Sequence, residues 1–134
     1  MNCSLRIIVA DDEPDMREYF QKSLQRLGHQ VLAAAANGRE LVELCRTHQP
    51  DLVITDIKMP ELDGIDAASL IYADRPVPIL LVSAFHDDTL VERAERDHVM
   101  GYLVKPIKKA DLEPAIAQAL RRFEELPSLR KTQP

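Results

Sequence analysis

Four polar residues in this chain could do chemistry, and each stands where a short apolar run stops. They are Asp12, Asp56, Ser83 and Lys105, and the runs before them are LRIIVA, DLVIT, VPILLV and VMGYLV. An aspartate beside a divalent cation can accept a phosphoryl group as an acyl phosphate. A lysine supplies a compact positive charge to a phosphoryl oxygen, and a serine hydroxyl can donate a hydrogen bond to it. The four residue types therefore predict a phosphate-handling pocket, provided that the fold brings four strand ends together.

The apolar runs have the length of strands. Uninterrupted stretches of about four to eight partly β-branched residues are typical of strands buried on both faces, which occur in parallel sheets. Between the runs, apolar residues recur at helical spacing. A weaker run, QVLAAAA, stops at the turn-forming pair Asn37 and Gly38 and predicts the second strand. The alternation predicts one α/β domain with a doubly wound sheet of five parallel strands and helices on both faces.

Three residues indicate where helices begin and end. Pro14 fits the first turn of a helix, because the missing N–H is not needed there. Gly28 follows a periodic run, as a glycine after a helix C-terminus does. Asp111 is predicted to be the N-cap of a helix that begins near Leu112.

Strand order decides which polar residues meet. In the flavodoxin-like order 2-1-3-4-5, strands 1 and 3 are neighbours, and the ligand crevice lies beyond their carboxyl ends. Asp11 and Asp12 would then lie beside Asp56. Two like charges about 4 Å apart repel by roughly 4 kcal/mol at an effective dielectric near 20, so three carboxylates call for a proton or a cation. Mg²⁺ is the predicted cofactor because it prefers hard oxygen ligands together with phosphate oxygens, and Asp56 is interpreted as the nucleophile.

Each of these residues also has an ordinary interpretation when it is taken alone. Asp11 and Asp12 fit a solvated acidic turn before a helix, and Asp56 fits a helix cap. Lys105 fits a surface lysine, and Ser83 fits a small residue that ends a strand. The functional hypothesis therefore depends on the four strand ends converging.

Composition narrows the class of protein. The 134 residues carry a net charge of −5 with a pI near 5.3, which argues against direct binding to nucleic acid. Cys3 and Cys45 lack metal-ligand spacing and are expected to be core-filling thiols. The N-terminal segment predicts neither export nor membrane insertion, so a cytoplasmic location is expected. Residues 1–126 are predicted to form the domain, and residues 127–134 a flexible C-terminal tail.

Four motifs resemble the receiver domain of two-component response regulators, over roughly residues 4–124. They are DDEP at 11–14, DIKMPELDG at 56–64, VSA at 82–84 and GYLVKP at 101–106. The resemblance implies that Asp56 is the phosphoacceptor and that Asp12 and Asp56 ligate Mg²⁺ directly. It further implies that Asp11 supports the metal through water and that the backbone carbonyl of Lys58 completes the protein ligands.

The resemblance also implies a switch and its partners. Lys105 and Ser83 would contact the phosphoryl group, and movement of Ser83 would draw the ring of Tyr102 inward. Phosphorylation would then change the surface of the fourth helix, fifth strand and fifth helix to engage a downstream partner. The implied donor is a sensor histidine kinase or a phosphotransfer protein, and the domain would catalyse only its own phosphorylation and dephosphorylation. Whether it forms a homodimer stays open.

Other hypotheses use the same residues differently. A haloacid-dehalogenase-like phosphatase also has an aspartate nucleophile and Mg²⁺, but it places a second aspartate where this chain has Lys58. A receiver fold could instead serve as an interaction module that is never phosphorylated. The chain could be a stand-alone receiver or a truncated regulator, and the stretch HVMGYLVKP loosely resembles receivers attached to RNA-binding antiterminator modules.

Overall fold

A computed structural model describes residues 4–84 and 99–125 of the chain. Its sheet has five parallel strands in the order 2-1-3-4-5. The strands are β1 (Arg6–Ala10), β2 (Gln30–Ala35), β3 (Leu52–Asp56), β4 (Ile79–Ser83) and β5 (Gly101–Val104). The predicted doubly wound α/β fold with the flavodoxin-like strand order is therefore confirmed.

The helices within the described residues alternate with the strands. They are α1 (Pro14–Arg26), α2 (Gly38–His48), α3 (Gly64–Asp74) and α4 (Lys109–Glu124), and α4 follows β5. The helix expected between β4 and β5 falls in residues 85–98, outside the described residues, as do Cys3 and the expected tail at 127–134. Across 4–84 and 99–125, each helix is too short or too polar to span a bilayer.

Helix boundaries agree with the sequence at three points and differ at one. Pro14 is the first residue of α1, and Gly28 follows the helix in the left-handed region at a φ of 94°. Asn37 is the N-cap of α2, so the predicted turn pair also begins a helix. The prediction that Asp111 caps the last helix was wrong, because α4 begins at Lys109. Asp111 instead lies in the first turn, where its charge favours the positive end of the helix dipole.

Each face of the sheet carries its own apolar core. Ile7 and Val9 of β1 point into the cluster shared with α1 and α4, whereas Ile8 and Ala10 point into the cluster shared with α2 and α3. All four side chains are at most 1% exposed, which explains why the run is apolar without alternation. Cys45 is buried in the α2 layer, as expected, and burial raises the pKa of its thiol to about 12.

Truncating a central strand residue should show how strongly this double core stabilises the fold. Leu80 in β4 is 0% exposed, so we expect Leu80→Ala to lower the free energy of unfolding by about 2–5 kcal/mol. Leu70 in α3 is 47% exposed and provides the matched control, with an expected change within about 0.5 kcal/mol. Urea denaturation followed by circular dichroism measures both. Equal losses for the two variants would contradict the layer assignment.

His29 links the loop before β2 to the segment before β1. The Leu5 N–H donates to His29 Nδ1 at 3.1 Å, and burial lowers the pKa of His29, although the charge of Glu113 partly opposes this. A base with a lowered folded-state pKa contributes stability above its unfolded value near 6.5 and loses it as the pH falls below that value. We expect acidification from pH 7.5 to 5.5 to lower the melting temperature less in His29→Asn than in the wild type, as measured by calorimetry.

Candidate functional site

The carboxyl ends of four strands meet at one edge of the sheet. β1 and β3 are adjacent, and Ala10 pairs in register with Thr55. Asp11 and Asp56, the next residue of each segment, therefore lie side by side at the carboxyl ends of these strands. At the other side of the same edge, the Lys105 N–H donates to the Ser83 carbonyl at 2.8 Å, which extends the pairing of β4 and β5 by one residue. The fold therefore collects at this edge polar residues that are far apart in the chain.

Three carboxylates form a cluster at the centre of this edge. Asp11, Asp12 and Asp56 each offer an oxygen, and these oxygens lie within 4.8 Å of one another. Asp11 is 0% exposed and Asp56 is 8% exposed, whereas Asp12 is exposed. The cluster thus has two buried members and one that opens to solvent.

One buried oxygen of the cluster accepts no hydrogen bond within the described residues. Asp11 Oδ1 accepts a hydrogen bond from the Glu13 N–H at 2.9 Å. Asp11 Oδ2 is buried and accepts no hydrogen bond from any residue in 4–84 or 99–125. Lys105 Nζ lies 3.2 Å away, close enough for an ion pair but outside hydrogen-bond geometry. Because a buried carboxylate oxygen that accepts no hydrogen bond is unfavourable, this atom is suited to a position near a further cation or a water bound to it.

Lys105 provides the positive charge within the site. Its Nζ lies 3.4 Å from Asp56 Oδ2, and its side chain is 21% exposed. Burial raises the pKa of Asp56, and the neighbouring Asp11 charge raises it further, while Lys105 partly offsets both. Burial lowers the pKa of Lys105, but the Asp56 and Asp11 carboxylates raise it by more, so the net shift is upward. One ammonium group thus faces at least two buried carboxylates.

The donor set fits Mg²⁺. Three carboxylates offer hard oxygen ligands, and the buried Asp11 oxygen lacks a hydrogen bond within the described part of the chain. A divalent cation would also reduce the repulsion that raises the pKa of Asp56. The acidic edge can therefore hold a metal ion next to a carboxylate that also faces a lysine.

The remaining predicted residues lie around the acids. Ser83 ends β4 and is 9% exposed. Lys58 follows Asp56 by two residues, and its side chain is exposed. Tyr102 is half-buried in β5, pairs in register with Leu81 and packs against the apolar layer on the α2 and α3 side. These positions are compatible with the predicted roles, which stay predictions.

Sequence reasoning missed two residues that hold the acids in place. Arg17 on α1 donates from Nη1 to the Asp11 carbonyl at 2.7 Å. Thr55 is fully buried, and its hydroxyl donates to the Asp56 carbonyl at 2.9 Å. In the sequence, Thr55 is a polar residue at the end of an apolar run, and Arg17 lies one helical turn after Pro14. Neither feature by itself indicates a contact with the acids. Both residues act on backbone atoms, which a pattern of side chains does not display.

Gly64 holds the loop after Asp56 close to the strand. A Cβ at this position would overlap the carbonyl oxygen of Asp56, so a larger residue does not fit. The Gly64 N–H donates to the Ile57 carbonyl at 2.7 Å, and the Ile57 N–H donates to Asp56 Oδ1 at 2.8 Å. The loop therefore fixes the orientation of the Asp56 carboxylate.

A groove of about 500 Å³ borders Lys105. Lys105 lies in its wall beside apolar atoms of α1 and of the segment after β5, with lining residues Met16, Tyr19, Ala84, Pro106 and Ile107. A second cavity, of about 130 Å³, lies near the amino ends of the strands, between the last turns of α2 and α3. The lining of this second cavity includes none of the predicted site residues, whereas the groove is lined in part by Lys105. The groove is therefore the one of the two that is relevant to this chemistry.

The chain is similar in sequence to a known protein family and to several regulatory proteins. A family model for the response regulator receiver domain matches residues 7–117. The transcriptional regulatory protein PdtaR of Mycobacterium tuberculosis is 46% identical over 124 residues, which make up 92% of this chain and 60% of that protein. The positive alginate biosynthesis regulatory protein of Pseudomonas aeruginosa is 35% identical over 119 residues, 87% of this chain and 48% of that protein. The chain thus spans about half to 60% of the length of these relatives.

Solved structures show the same fold. A response regulator receiver domain protein from Clostridium thermocellum has a TM-score of 0.81 and 30% identity, covering 90% of this chain and 98% of that one. A two-component response regulator of the LuxR family from an Aurantimonas species has a TM-score of 0.83 and 30% identity, covering 89% and 86%. Both likenesses extend over about nine tenths of this chain.

Proposed function

This chain belongs to the response regulator receiver domain family, and on that premise we propose that it is a phosphorylation-activated switch of a two-component system. The observation that carries the proposal is the contact of a buried Asp56 carboxylate with Lys105, beside a buried Asp11 oxygen that accepts no hydrogen bond from residues 4–84 and 99–125. A nucleophilic oxygen, a cation for the phosphoryl group and a place for a metal ion then lie together at one edge of the sheet.

The proposed acceptor is Asp56. A carboxylate oxygen of Asp56 attacks the phosphorus of a phosphohistidine, the new O–P bond forms as the N–P bond breaks, and the leaving imidazole takes up a proton. Lys105 lies 3.4 Å from Asp56 Oδ2 and is placed to neutralise charge on the transferred group. The proposed donor is a sensor histidine kinase or a phosphotransfer protein.

The proposed metal ligands are the carboxylates of Asp11, Asp12 and Asp56 and the backbone carbonyl of Lys58. The Asp12 and Asp56 carboxylates would bind directly, and Asp11 through water. A bound Mg²⁺ would neutralise the charge that accumulates on the transferring phosphoryl oxygens. The protein holds its acids ready for this role, because Asp11 is anchored by the Glu13 N–H and through its carbonyl by Arg17.

The proposed output is a change in the surface around β5. A phosphoryl group on Asp56 adds a nearly double negative charge, which attracts Lys105 and the Ser83 hydroxyl. Tyr102 lies in β5, and Lys105 directly follows this strand. A shift of Lys105 can therefore reorient the ring of Tyr102. A change from 1:99 to 99:1 in favour of the active packing requires about 5.5 kcal/mol. Because PdtaR is named a transcriptional regulator, we propose that the downstream effect is on gene expression.

Incubation with acetyl phosphate and Mg²⁺ tests the proposal. We expect intact-mass spectrometry to show one added phosphoryl group that hydroxylamine removes, because acyl phosphates react with this nucleophile. A chain that gains no phosphoryl group under these conditions would instead be a passive interaction module. Rapid multiple-turnover hydrolysis of added phosphomonoesters would favour a phosphatase over a switch.

A further inference from the structure

The first turn of α2 lies directly against the loop that follows Asp56. We call residues 57–63 the acceptor loop. A Cβ at Gly38, the first residue of α2, would overlap the carbonyl oxygen of Leu62 in this loop and lie 2.7 Å from its carbonyl carbon. Real Cβ atoms do not approach backbone atoms so closely. Gly38 is therefore required for the backbone of α2 to touch the backbone of the acceptor loop.

The acceptor loop contains a tight turn that needs such support. Glu61 has a φ of 69°, in the left-handed region that residues with a Cβ rarely occupy. The Leu62 N–H donates to the Pro60 carbonyl at 2.7 Å, so three residues close a turn around Glu61. Strained turns of this kind persist when the surrounding structure holds them in place. The contact of Gly38 with Leu62 occurs next to the strained residue.

The first turn of α2 is itself firmly held. The Asn37 side chain accepts a hydrogen bond from the Glu40 N–H at 2.8 Å, and the Glu40 carboxylate accepts one from the Ala36 N–H at 2.7 Å. This reciprocal arrangement is similar to a capping box. The helix is anchored further by Leu41, which is 0% exposed. A contact made through this turn is therefore made to a rigid element.

A side-chain contact joins the same two segments but contributes less. Arg39 Nε lies 3.5 Å from Glu61 Oε1, and the two side chains are 75% and 56% exposed. Exposed pairs of this kind are worth little, because solvent screens the charges and both long side chains lose freedom. The backbone contact of Gly38 is thus the main restraint from α2.

We propose that the first turn of α2 positions the acceptor loop for metal binding, with Gly38 as the positioning residue. The inference rests on the proposed function, in which the Lys58 carbonyl of this loop is a Mg²⁺ ligand. The Gly64 N–H on the Ile57 carbonyl joins the two ends of the loop, and Gly38 restrains its second half at Leu62. Because the tight turn ties Leu62 to Pro60, we expect displacement of Leu62 to shift the segment that contains Lys58 without a direct change to the acidic edge.

Gly38→Ala tests this positioning role. The added methyl group must displace the Leu62 carbonyl, so we expect Mg²⁺ affinity to fall about tenfold, as for other residues that orient metal ligands indirectly. Affinity is measured by titrating the isotopically labelled chain with Mg²⁺ and following backbone amide shifts. A second readout needs no metal: hydrogen exchange at the Leu62 and Gly64 amides should become faster than in the wild type.

Gly28→Ala is the matched control. Gly28 has a φ of 94° and open space around a Cβ, so alanine there strains the backbone without touching the acceptor loop. We expect this variant to lose stability while Mg²⁺ affinity and the exchange of the loop amides stay at the wild-type level. A general loss of stability is thereby separated from a loss of positioning.

Asn37→Ala provides a second variant that adds no atoms. It removes the cap from the same turn, and a smaller loss of Mg²⁺ affinity in the same direction is expected. If the wild type binds Mg²⁺ and both the Gly38 and the Asn37 variants match Gly28→Ala in affinity and loop exchange, the positioning role is wrong. If the wild type itself does not bind Mg²⁺, the proposed function fails first.

Discussion

Replacement of Asp56 by Asn should abolish the phosphoryl group that acetyl phosphate and Mg²⁺ add to the wild-type chain. The amide has the shape of the carboxylate, and its oxygen can still accept the Ile57 N–H, which lies 2.8 Å from Asp56 Oδ1 in the wild type. It lacks the anionic oxygen that attacks phosphorus. Intact-mass spectrometry should therefore show no mass gain, whereas the circular dichroism spectrum should be unchanged.

The same strand offers a matched control for this variant. Asp51 lies just before β3, and Asp56 ends it, so the two aspartates are at opposite ends of one strand. Asp51 Oδ2 accepts a hydrogen bond from the Arg6 N–H at 2.9 Å and is remote from Lys105. We expect Asp51→Asn to be phosphorylated as the wild type is. Persistent mass gain in Asp56→Asn, mapped to another residue, would falsify the acceptor assignment.

The second large effect concerns Mg²⁺ and the stability of the fold. Three carboxylates are clustered, and Lys105 pairs with those of Asp11 and Asp56, so a bound cation should stabilise the native chain. Linkage predicts a gain of about 2.7 kcal/mol in the free energy of unfolding when Mg²⁺ is present at 100 times its dissociation constant. In Asp12→Asn, we expect most of this gain to disappear because a proposed direct ligand loses its charge. Urea denaturation with and without Mg²⁺ measures the difference.

Two comparisons make this prediction specific. Asp15→Asn removes an exposed acid from the first turn of α1, outside the cluster, and should keep the full Mg²⁺ response. Without metal, Asp12→Asn should be at least as stable as the wild type, since one of three neighbouring like charges is gone. A Mg²⁺ response that is equal in the Asp12 and Asp15 variants would show that the ion binds elsewhere or only through general screening.

The clustered carboxylates at the acidic edge lower the stability of the metal-free fold, and they are the groups that the proposed function requires. Burial and the Asp11 charge both raise the pKa of Asp56, which shows that the folded chain disfavours this carboxylate as an anion. Asp11 Oδ2 is kept buried without a hydrogen bond in the described part of the chain. A core built only for stability would avoid both features. They become favourable when a cation is bound, which is why stability and Mg²⁺ binding should be measured together.

Much of the fold could be predicted because its signals are local and repeated. The apolar runs that became β1, β3 and β4 are buried on both faces, and such runs occur in parallel sheets. The alanine-rich second strand was also predicted correctly from the turn pair that follows it. The prediction that Asp111 caps the last helix was wrong. Buried Ile107 packs in the apolar cluster on the α1 side, and the helix begins two residues later, at Lys109. The likeness to receiver domains, predicted from four motifs, is confirmed by the family model.

By itself, the sequence determined which side chains end the strands and therefore which chemistry is available. Side-chain type and hydrophobic periodicity are local properties, and they were sufficient to place Asp56 at the end of β3 and Lys105 directly after β5. The strand order was taken from the flavodoxin-like fold, and the roles of both residues stay predictions. Only the tertiary structure decided how Asp11 and the acceptor loop are held: Arg17 on the Asp11 carbonyl, and Gly38 against Leu62. Both contacts are made to backbone atoms, the first by a side chain six residues away and the second by the backbone of a distant segment. No local pattern encodes them, because backbone groups are the same in every residue and only the folded path brings them together.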